Sequence, residues 1–476
     1  MNVKFGTSGV RGLNTDLTNQ VCYSFAKSFL IHAESRFGKK TAVVAIDRRM
    51  SGPRIQSAVA AAARDMGVDI RTLGVIATPA LAIYCQNHDC YGIMITGSHI
   101  PADRNGLKFY FPTGEILKDD EAGILEHFAK IHGETAHRDI TLAADLESEA
   151  ESANHEFIRR YTEFFTADCL RGFKILFYEH SSTCYRLAPA IFKVLGAEVV
   201  SVGASQEFVA VDTEAVTALE QMRRWQAEYG ADVVVSTDGD GDRPLVVDDT
   251  GQLVRGDVLG MLTALGLGLK NLAVPVSCNS SIEACEAFDE VVLTKIGSPF
   301  VIAAMDELLA KGHRGVAGFE ANGGFLLATE VRSPTGRVLA ALATRDSILP
   351  IVQSLAYARE QKLKLSSVVK QVQRRHTASD LIREISPEHS SPFLAAAVKD
   401  PKAFCQDLFP EMGPLDRVNT LDGLRLFFAN GEVVHLRPSG NAPEFRVYTE
   451  AADGARAEEL CYWTLKRVSA HLKQRG

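Results

Sequence analysis

The sequence predicts an α/β protein of three related domains, each with a mainly parallel sheet, followed by a smaller α+β domain. Three observations predict it: one strand–helix–strand plan recurs with a closing glycine, the alternation implies crossover connections, and the pattern changes after about Leu365. In the first copy Thr41 to Ile46 reads as a strand, Pro53 to Met66 as an alanine-rich helix, and Asp69 to Leu73 as a strand closed by Gly74. The second copy runs Phe173 to Tyr178, Tyr185 to Leu195 and Glu198 to Val202, closed by Gly203. The third runs Leu272 to Val276, a helix over Ser281 to Phe288, and Glu290 to Leu293, followed by Gly297. In the tail, Gly423 to Phe428 and Val433 to Leu436 flank Asn430-Gly431, a pair suited to a tight hairpin turn, and Ala455 to Leu472 reads as a closing amphipathic helix. With a first junction in the Asp/Glu/Ala/Ser-rich stretch from Gly133 to Asn154, the expected domains are 1–140, 150–252, 253–365 and 366–476.

Chemistry concentrates in two loops. Asp232 to Val235 reads as a buried strand, and it runs into Ser236-Thr-Asp-Gly-Asp-Gly-Asp-Arg243. Asp238, Asp240 and Asp242 alternate with Gly239 and Gly241, which permit a tight wrap that aims three carboxylates one way. Three hard oxygen ligands suit Mg²⁺ or Ca²⁺ better than zinc. A calcium loop of the EF-hand kind needs glycine and glutamate where this chain has Arg243 and Asp249, so that alternative fails at both positions. The other loop follows the apolar run from Tyr91 to Thr96 and reads Gly97-Ser98-His99, with Asn105-Gly106 and Lys108 behind it. Ser98 therefore stands at the carboxyl end of a strand, where open α/β sheets bind ligands. The Gly-x-Ser-x-Gly elbow of a serine hydrolase is absent here.

Composition narrows the partners. Hydrophobic residues make up 46% and charged residues 23%, ordinary values for a globular chain, and a net charge of −8 disfavours nucleic acid or an anionic membrane as partner. The longest apolar run, Val258 to Leu269, is too short to span a bilayer, and no signal-peptide core opens the chain, so a cytoplasmic location is expected. Nine cysteines without a Cys-x-x-Cys pair predict neither a disulfide framework nor a zinc site.

Six motifs stand in order along the chain: Phe5-Gly-Thr-Ser-Gly-Val-Arg11-Gly12, Thr96-Gly-Ser98-His99, Asp238-Gly-Asp-Gly-Asp242-Arg243, Thr294-Lys295-Ile-Gly297, Gly318-Phe-Glu320-Ala-Asn322-Gly323 and Arg437-Pro-Ser439-Gly440-Asn441-Ala-Pro. Together they resemble those of the α-D-phosphohexomutases, and among them the bacterial phosphomannomutases of surface-polysaccharide, GDP-mannose pathways. The resemblance spans essentially the whole chain and implies four domains around a central cleft.

It also implies an isomerase that interconverts mannose 6-phosphate and mannose 1-phosphate, with glucose or glucosamine phosphates as the alternative substrates and a non-catalytic sugar-phosphate sensor as the remote alternative. Ser98 would rest as phosphoserine, and Mg²⁺ would be bound by Asp238, Asp240, Asp242 and a phosphoserine oxygen. Hexose 1,6-bisphosphate would be both intermediate and activator. Arg11 and Arg243 would hold the transferring phosphoryl group, and Lys108 or His99 would serve as general base. Glu320 and Asn322 would bind sugar hydroxyls. Lys295 would also contact substrate, and Arg437, Ser439, Gly440 and Asn441, assisted by Arg446, would cradle the phosphate not being transferred. Arg446 paired to a surface acid is an equal alternative. Many members carry serine at the place of Asn322 and threonine at that of Asn441, differences that bear on sugar preference.

Overall fold

The computed structural model describes all residues except 1–2, 7–8, 136–139, 143–144, 386, 439–443 and 475–476, and not the side chains of 387 and 473–474. The chain divides into two compact units: Met1–Ala273, Ala287–Glu290 and Gly297–Val369 form the first, and Val274–Glu286, Val291–Ile296 and Lys370–Gly476 the second.

The three larger sheets of the first unit share one device. In the first sheet the strands Ile70–Val75, Ala42–Ile46 and Tyr91–Ile95 run parallel, with Ala42–Ile46 in the middle. Arg104–Phe111 then returns antiparallel beside Tyr91–Ile95, pairing Met94 with Lys108. In the second sheet Glu198–Ala204, Lys174–His180 and Val233–Thr237 are parallel, and Pro244–Val247 returns antiparallel beside Val233–Thr237. In the third, Asn271 to Ala273 pair in parallel with Val316 to Gly318, and Phe325–Leu327 returns antiparallel beside Val316–Phe319. Each parallel set is thus extended by a hairpin, and the hairpin tips are residues 96–103, 238–243 and 320–324.

Apolar continuity explains the buried strands: Val43, Val44, Ile93, Ile95, Leu176, Val234 and Val235 are all buried, as expected for strands covered on both faces. The alanine-rich helix Gly52–Asp65 buries Ala58 and Ala60 through Ala63, whose small side chains allow close approach to the sheet.

One expected helix is absent. Ser281 to Phe288 forms successive turns, because Asn279 Oδ1 accepts the Ser281 amide at 2.9 Å and Ser280 is bonded through both its amide and its hydroxyl to Glu450. Short polar side chains of this kind divert the backbone from a helix.

The second unit contains a five-stranded antiparallel sheet in the order His376–Arg383, Glu444–Ala451, Val433–Pro438, Leu424–Phe428, Leu415–Asn419. The expected turn forms at Asn430-Gly431, with Gly431 at φ 81° and the Gly431 amide donating to the Phe428 carbonyl at 2.8 Å. The expected final helix spans Gly454–Gln474 and packs Leu460 and Val468 into a core with Leu424, Leu436 and Val447. No described helix is long and apolar enough to cross a membrane. All nine cysteines are free, and all but Cys285 are buried.

Candidate active site

Ser98 stands at the first hairpin tip in a conformation that its neighbours impose. Its φ is 54°, a left-handed value that costs a non-glycine residue about 1 kcal/mol or more. The Thr96 hydroxyl accepts the Ser98 amide at 2.7 Å and donates to Asp47 at 2.8 Å. Arg49 supplies the rest of the clamp. Its Nε donates to Asp47 at 3.1 Å, Nη1 to the carbonyls of Pro101 and Arg104 at 2.6 and 2.9 Å, and Nη2 to those of Ser98 and Ile100 at 3.0 and 2.6 Å. The guanidinium is thereby fully satisfied, and Phe208 covers its face with the ring centroid 3.8 Å from Cζ. A Cβ on Gly97 would lie 2.7 Å from that Cζ, so only glycine passes beneath it. Arg49→Lys replaces five forked donors by three on a point charge and is expected to lower the unfolding free energy by about 2–3 kcal/mol. Urea denaturation against wild type reads this, and a change below about 1 kcal/mol would contradict the clamp.

The acidic tip faces this serine. Ser98 Oγ donates to Asp238 Oδ2 at 2.6 Å, and Asp238 Oδ1 accepts the amides of Asp242 and Arg243 at 3.1 and 3.2 Å. Asp240 Oδ2 accepts from the Thr78 hydroxyl and from Lys108 Nζ, both at 2.6 Å. Asp242 Oδ2 accepts from Lys108 Nζ at 2.7 Å. All three aspartates are completely buried. Burial, followed by the charges of Asp240 and Asp242, pushes the Asp238 carboxyl well above the usual range. For Asp242 burial acts the same way, but Arg345, Lys108 and Arg243 outweigh it and hold the group below the usual range.

The residues present fit a cation. The three carboxylates offer oxygens within 4.8 Å of one another, and Oδ1 of Asp240 and Oδ1 of Asp242 are buried without any hydrogen bond from the protein. Buried acceptors of this kind need a partner, and hard oxygens select a hard divalent ion.

His180 supports the same loop from beneath. Its Nε2 meets the Thr237 carbonyl at 2.9 Å, and burial pulls its pKa from 6.5 down to about 4. The folded state therefore keeps the ring neutral in a range where the unfolded chain takes up a proton, and stability falls as pH drops from about 6.5 towards 4. Unfolding measured at pH 7 and pH 5 is expected to show a loss of about 2 kcal/mol from this group. His180→Gln should reduce that loss, and an unchanged pH dependence would reject the assignment.

Cations line the remaining sides. Arg243 Nη1 lies 2.9 Å from His99 Nδ1, and because a guanidinium only donates, His99 Nδ1 is an acceptor. His99 Nδ1 is also 3.3 Å from Ser98 Oγ. Arg11 lies on the strand Gly9–Leu13 opposite Gly106, and burial, then repulsion from Arg243 and Arg345, brings its pKa down to about 10, which leaves it charged at neutrality. At the third tip Glu320 is buried, and its Oε2 accepts from Arg345 Nη1 at 3.2 Å. Asn322 Oδ1 caps the Gly324 amide at 3.0 Å.

The first unit therefore gathers Arg11, Ser98, His99, Lys108, Asp238, Asp240, Asp242, Arg243 and Glu320 around one centre, with Asn322 two residues beyond Glu320 on the same tip. Lys295, Arg437 and Arg446 belong to the second unit. There Lys295 is exposed, Arg437 Nε pairs with Asp422 at 3.0 Å, and Arg446 pairs with Glu444 at 3.6 Å. Ser439, Gly440 and Asn441 lie outside the described residues. Sequence reasoning missed Arg49, Arg345 and Thr78.

A serine-bearing loop, a three-carboxylate loop and a polar loop thus stand at the hairpin tips of three α/β sheets. The chain matches the phosphoglucomutase/phosphomannomutase models for alpha/beta/alpha domain I over residues 2–134, domain II over 155–251, domain III over 256–376 and the C-terminal domain over 389–462. It belongs to the phosphoglucomutase/phosphomannomutase family and is a phosphomutase, an isomerase. It is 42% identical to a phosphomannomutase of Salmonella muenchen, over 99% of this chain and 96% of that protein. It is 41% identical to a phosphomannomutase of Sinorhizobium fredii, over 97% of each. Among solved structures, a phosphoglucomutase/phosphomannomutase family protein from Burkholderia thailandensis superposes with a TM-score of 0.75 at 21% identity, covering 97% of this chain and 96% of that one. An N-acetylphosphoglucosamine mutase of Aspergillus fumigatus, solved with GlcNAc-6P and magnesium, gives 0.60 at 15% identity, covering 98% and 95%.

Proposed function

We propose that this phosphomutase interconverts mannose 6-phosphate and mannose 1-phosphate, with Ser98 as phosphoryl carrier and hexose 1,6-bisphosphate as the intermediate that also primes the serine. The observation that carries the reading is the 2.6 Å contact between Ser98 Oγ and Asp238 Oδ2 inside a buried three-carboxylate loop. Preference for mannose is supported by the two phosphomannomutases that share 42% and 41% identity with nearly the whole chain.

Asp238, Asp240 and Asp242 would hold Mg²⁺, whose charge offsets that of a phosphoryl group on Ser98. Arg11 and Arg243 supply fixed positive charge to the phosphoryl oxygens, and because they are already positioned they need no reorganisation during transfer. With His99 Nδ1 engaged by Arg243, His99 offers an N–H donor at its other nitrogen. Lys108, within reach of Asp240 and Asp242, is then our choice for moving the proton of the attacking sugar hydroxyl. Glu320 and Asn322 orient sugar hydroxyls, and Arg437 with Ser439, Gly440, Asn441, Lys295 and Arg446 is assigned to the phosphate that stays on the sugar. Seclusion from water keeps such a carrier from losing its phosphate to hydrolysis, and Ser98, 1% exposed, meets that need.

The test is a coupled assay comparing kcat/KM for mannose 1-phosphate, glucose 1-phosphate and glucosamine 1-phosphate. Mannose 1-phosphate is expected to lead. A higher value for either competitor would overturn the sugar assignment, and no turnover of any of the three would overturn the mutase reading.

A further inference from the structure

Arg345 is among the largest completely buried side chains of the protein, and it joins two loops that have separate duties. It projects from the strand Leu342–Asp346 with both Nε and Nη2 on one oxygen, Asp242 Oδ2, at 3.1 and 3.0 Å. Lys108 shares that oxygen, whereas Asp242 Oδ1 receives no hydrogen bond from the protein. The other arm, Nη1, reaches Glu320 Oε2 at 3.2 Å and Ser298 Oγ at 3.5 Å. Behind the guanidinium Glu115 is fixed by the hydroxyls of Ser298 and Thr344 at 2.8 and 2.6 Å, and its Oε1 lies 4.0 Å from Nη2. The sugar-facing loop is shaped around this side chain: a Cβ on Gly324 would lie 2.5 Å from Arg345 Cγ and Cδ.

We propose that Arg345 is a positioning residue that couples cation binding to sugar-phosphate binding, by fixing which oxygen of Asp242 faces the ion and which oxygen of Glu320 faces the sugar. The proposal rests on the mutase reading for the identity of the second ligand. One rigid fork spans both carboxylates, so a ligand that draws Glu320 into place also holds Asp242, and the reverse. Such a linkage is reciprocal in binding free energy. An ammonium cannot span both groups, which makes lysine an informative replacement.

The experiment measures Mg²⁺ binding by calorimetry in the Ser98→Ala background, where no phosphoryl transfer intervenes, with and without saturating mannose 1-phosphate. With Arg345 present, mannose 1-phosphate is expected to tighten Mg²⁺ binding. Arg345→Met should weaken Mg²⁺ alone by about tenfold, the usual scale for losing a group that orients a metal ligand, and should abolish the tightening. Arg345→Lys should recover part of the Mg²⁺ affinity and none of the tightening. Gly324→Ala, which keeps the guanidinium but displaces it, should also lose the tightening and serves if Arg345→Met does not fold. Tightening that survives in Arg345→Met or Gly324→Ala, that returns in full with lysine, or that is absent with Arg345 in place, would overturn the proposal. Failure of the mutase reading is seen separately, as wild-type enzyme that turns over no hexose phosphate while the Mg²⁺ affinities still differ among the variants.

Discussion

Ser98→Ala is expected to lower mutase turnover by at least about a thousandfold, because the proposed mechanism then loses its covalent carrier rather than a binding contact. The fold should survive the change. The left-handed turn is held by Arg49 and Thr96 through backbone atoms of residues 98–104, none of which depends on the hydroxyl. What is lost is one hydrogen bond to Asp238, on the order of 1–2 kcal/mol at a charged acceptor. Circular dichroism and thermal melting should therefore stay near wild type while turnover collapses. Intact-protein mass spectrometry should show one phosphate on wild type treated with hexose 1,6-bisphosphate and none on the variant. Turnover within tenfold of wild type would remove Ser98 from the role of carrier.

Asp240→Asn is expected to lower Mg²⁺-dependent activity by about a hundredfold or more, although it changes neither size nor shape. Asp240 Oδ2 accepts from Thr78 and Lys108, so the amide oxygen must take that place, and the NH₂ then points to where Oδ1 now offers a lone pair. A cation would meet a donor in place of an acceptor. Enzyme stripped with a chelator and titrated with Mg²⁺ should regain activity, whereas the variant should need far more ion and reach a lower plateau. Wild-type activity that persists undiminished in excess chelator would exclude this use of the acidic loop.

The parts of the site that were legible in the sequence are those in which several chemical groups sit together along the chain. Ser98-His99 and the Asp238 to Arg243 run each end a strand, and physical reasoning about strand ends and oxygen donors places them without three-dimensional information. Arg49 and Arg345 were not legible as site residues, because their meaning comes from neighbours far away in sequence: Arg49 from carbonyls up to 55 positions on, and Arg345 from Asp242, 103 positions back. The fold class was carried by repeated strand–helix–strand alternation. The antiparallel return after each site loop was harder to see, since a short apolar run looks alike in either direction. Ser281 to Phe288 misled for a related reason: the side chains of Asn279 and of Glu450, the latter 170 residues from Ser280, accept the amides of Ser281 and Ser280 at the point where the helix would begin.

The three hairpin tips also bear on the order in which the protein becomes competent. A hairpin closes over a handful of residues, so the strand pairs that flank the turns at 96–103, 238–243 and 320–324 form early and at small entropic cost. The contacts among them are distant, Ser98 with Asp238 across 140 positions and Lys108 with Asp242 across 134. Contacts of such separation form late in folding. Refolding from urea should thus recover most far-ultraviolet ellipticity while the enzyme is still inactive, and activity should return in a slower phase set by the meeting of the three tips. A nascent chain would carry each hairpin well before its tip is clamped and meets the others.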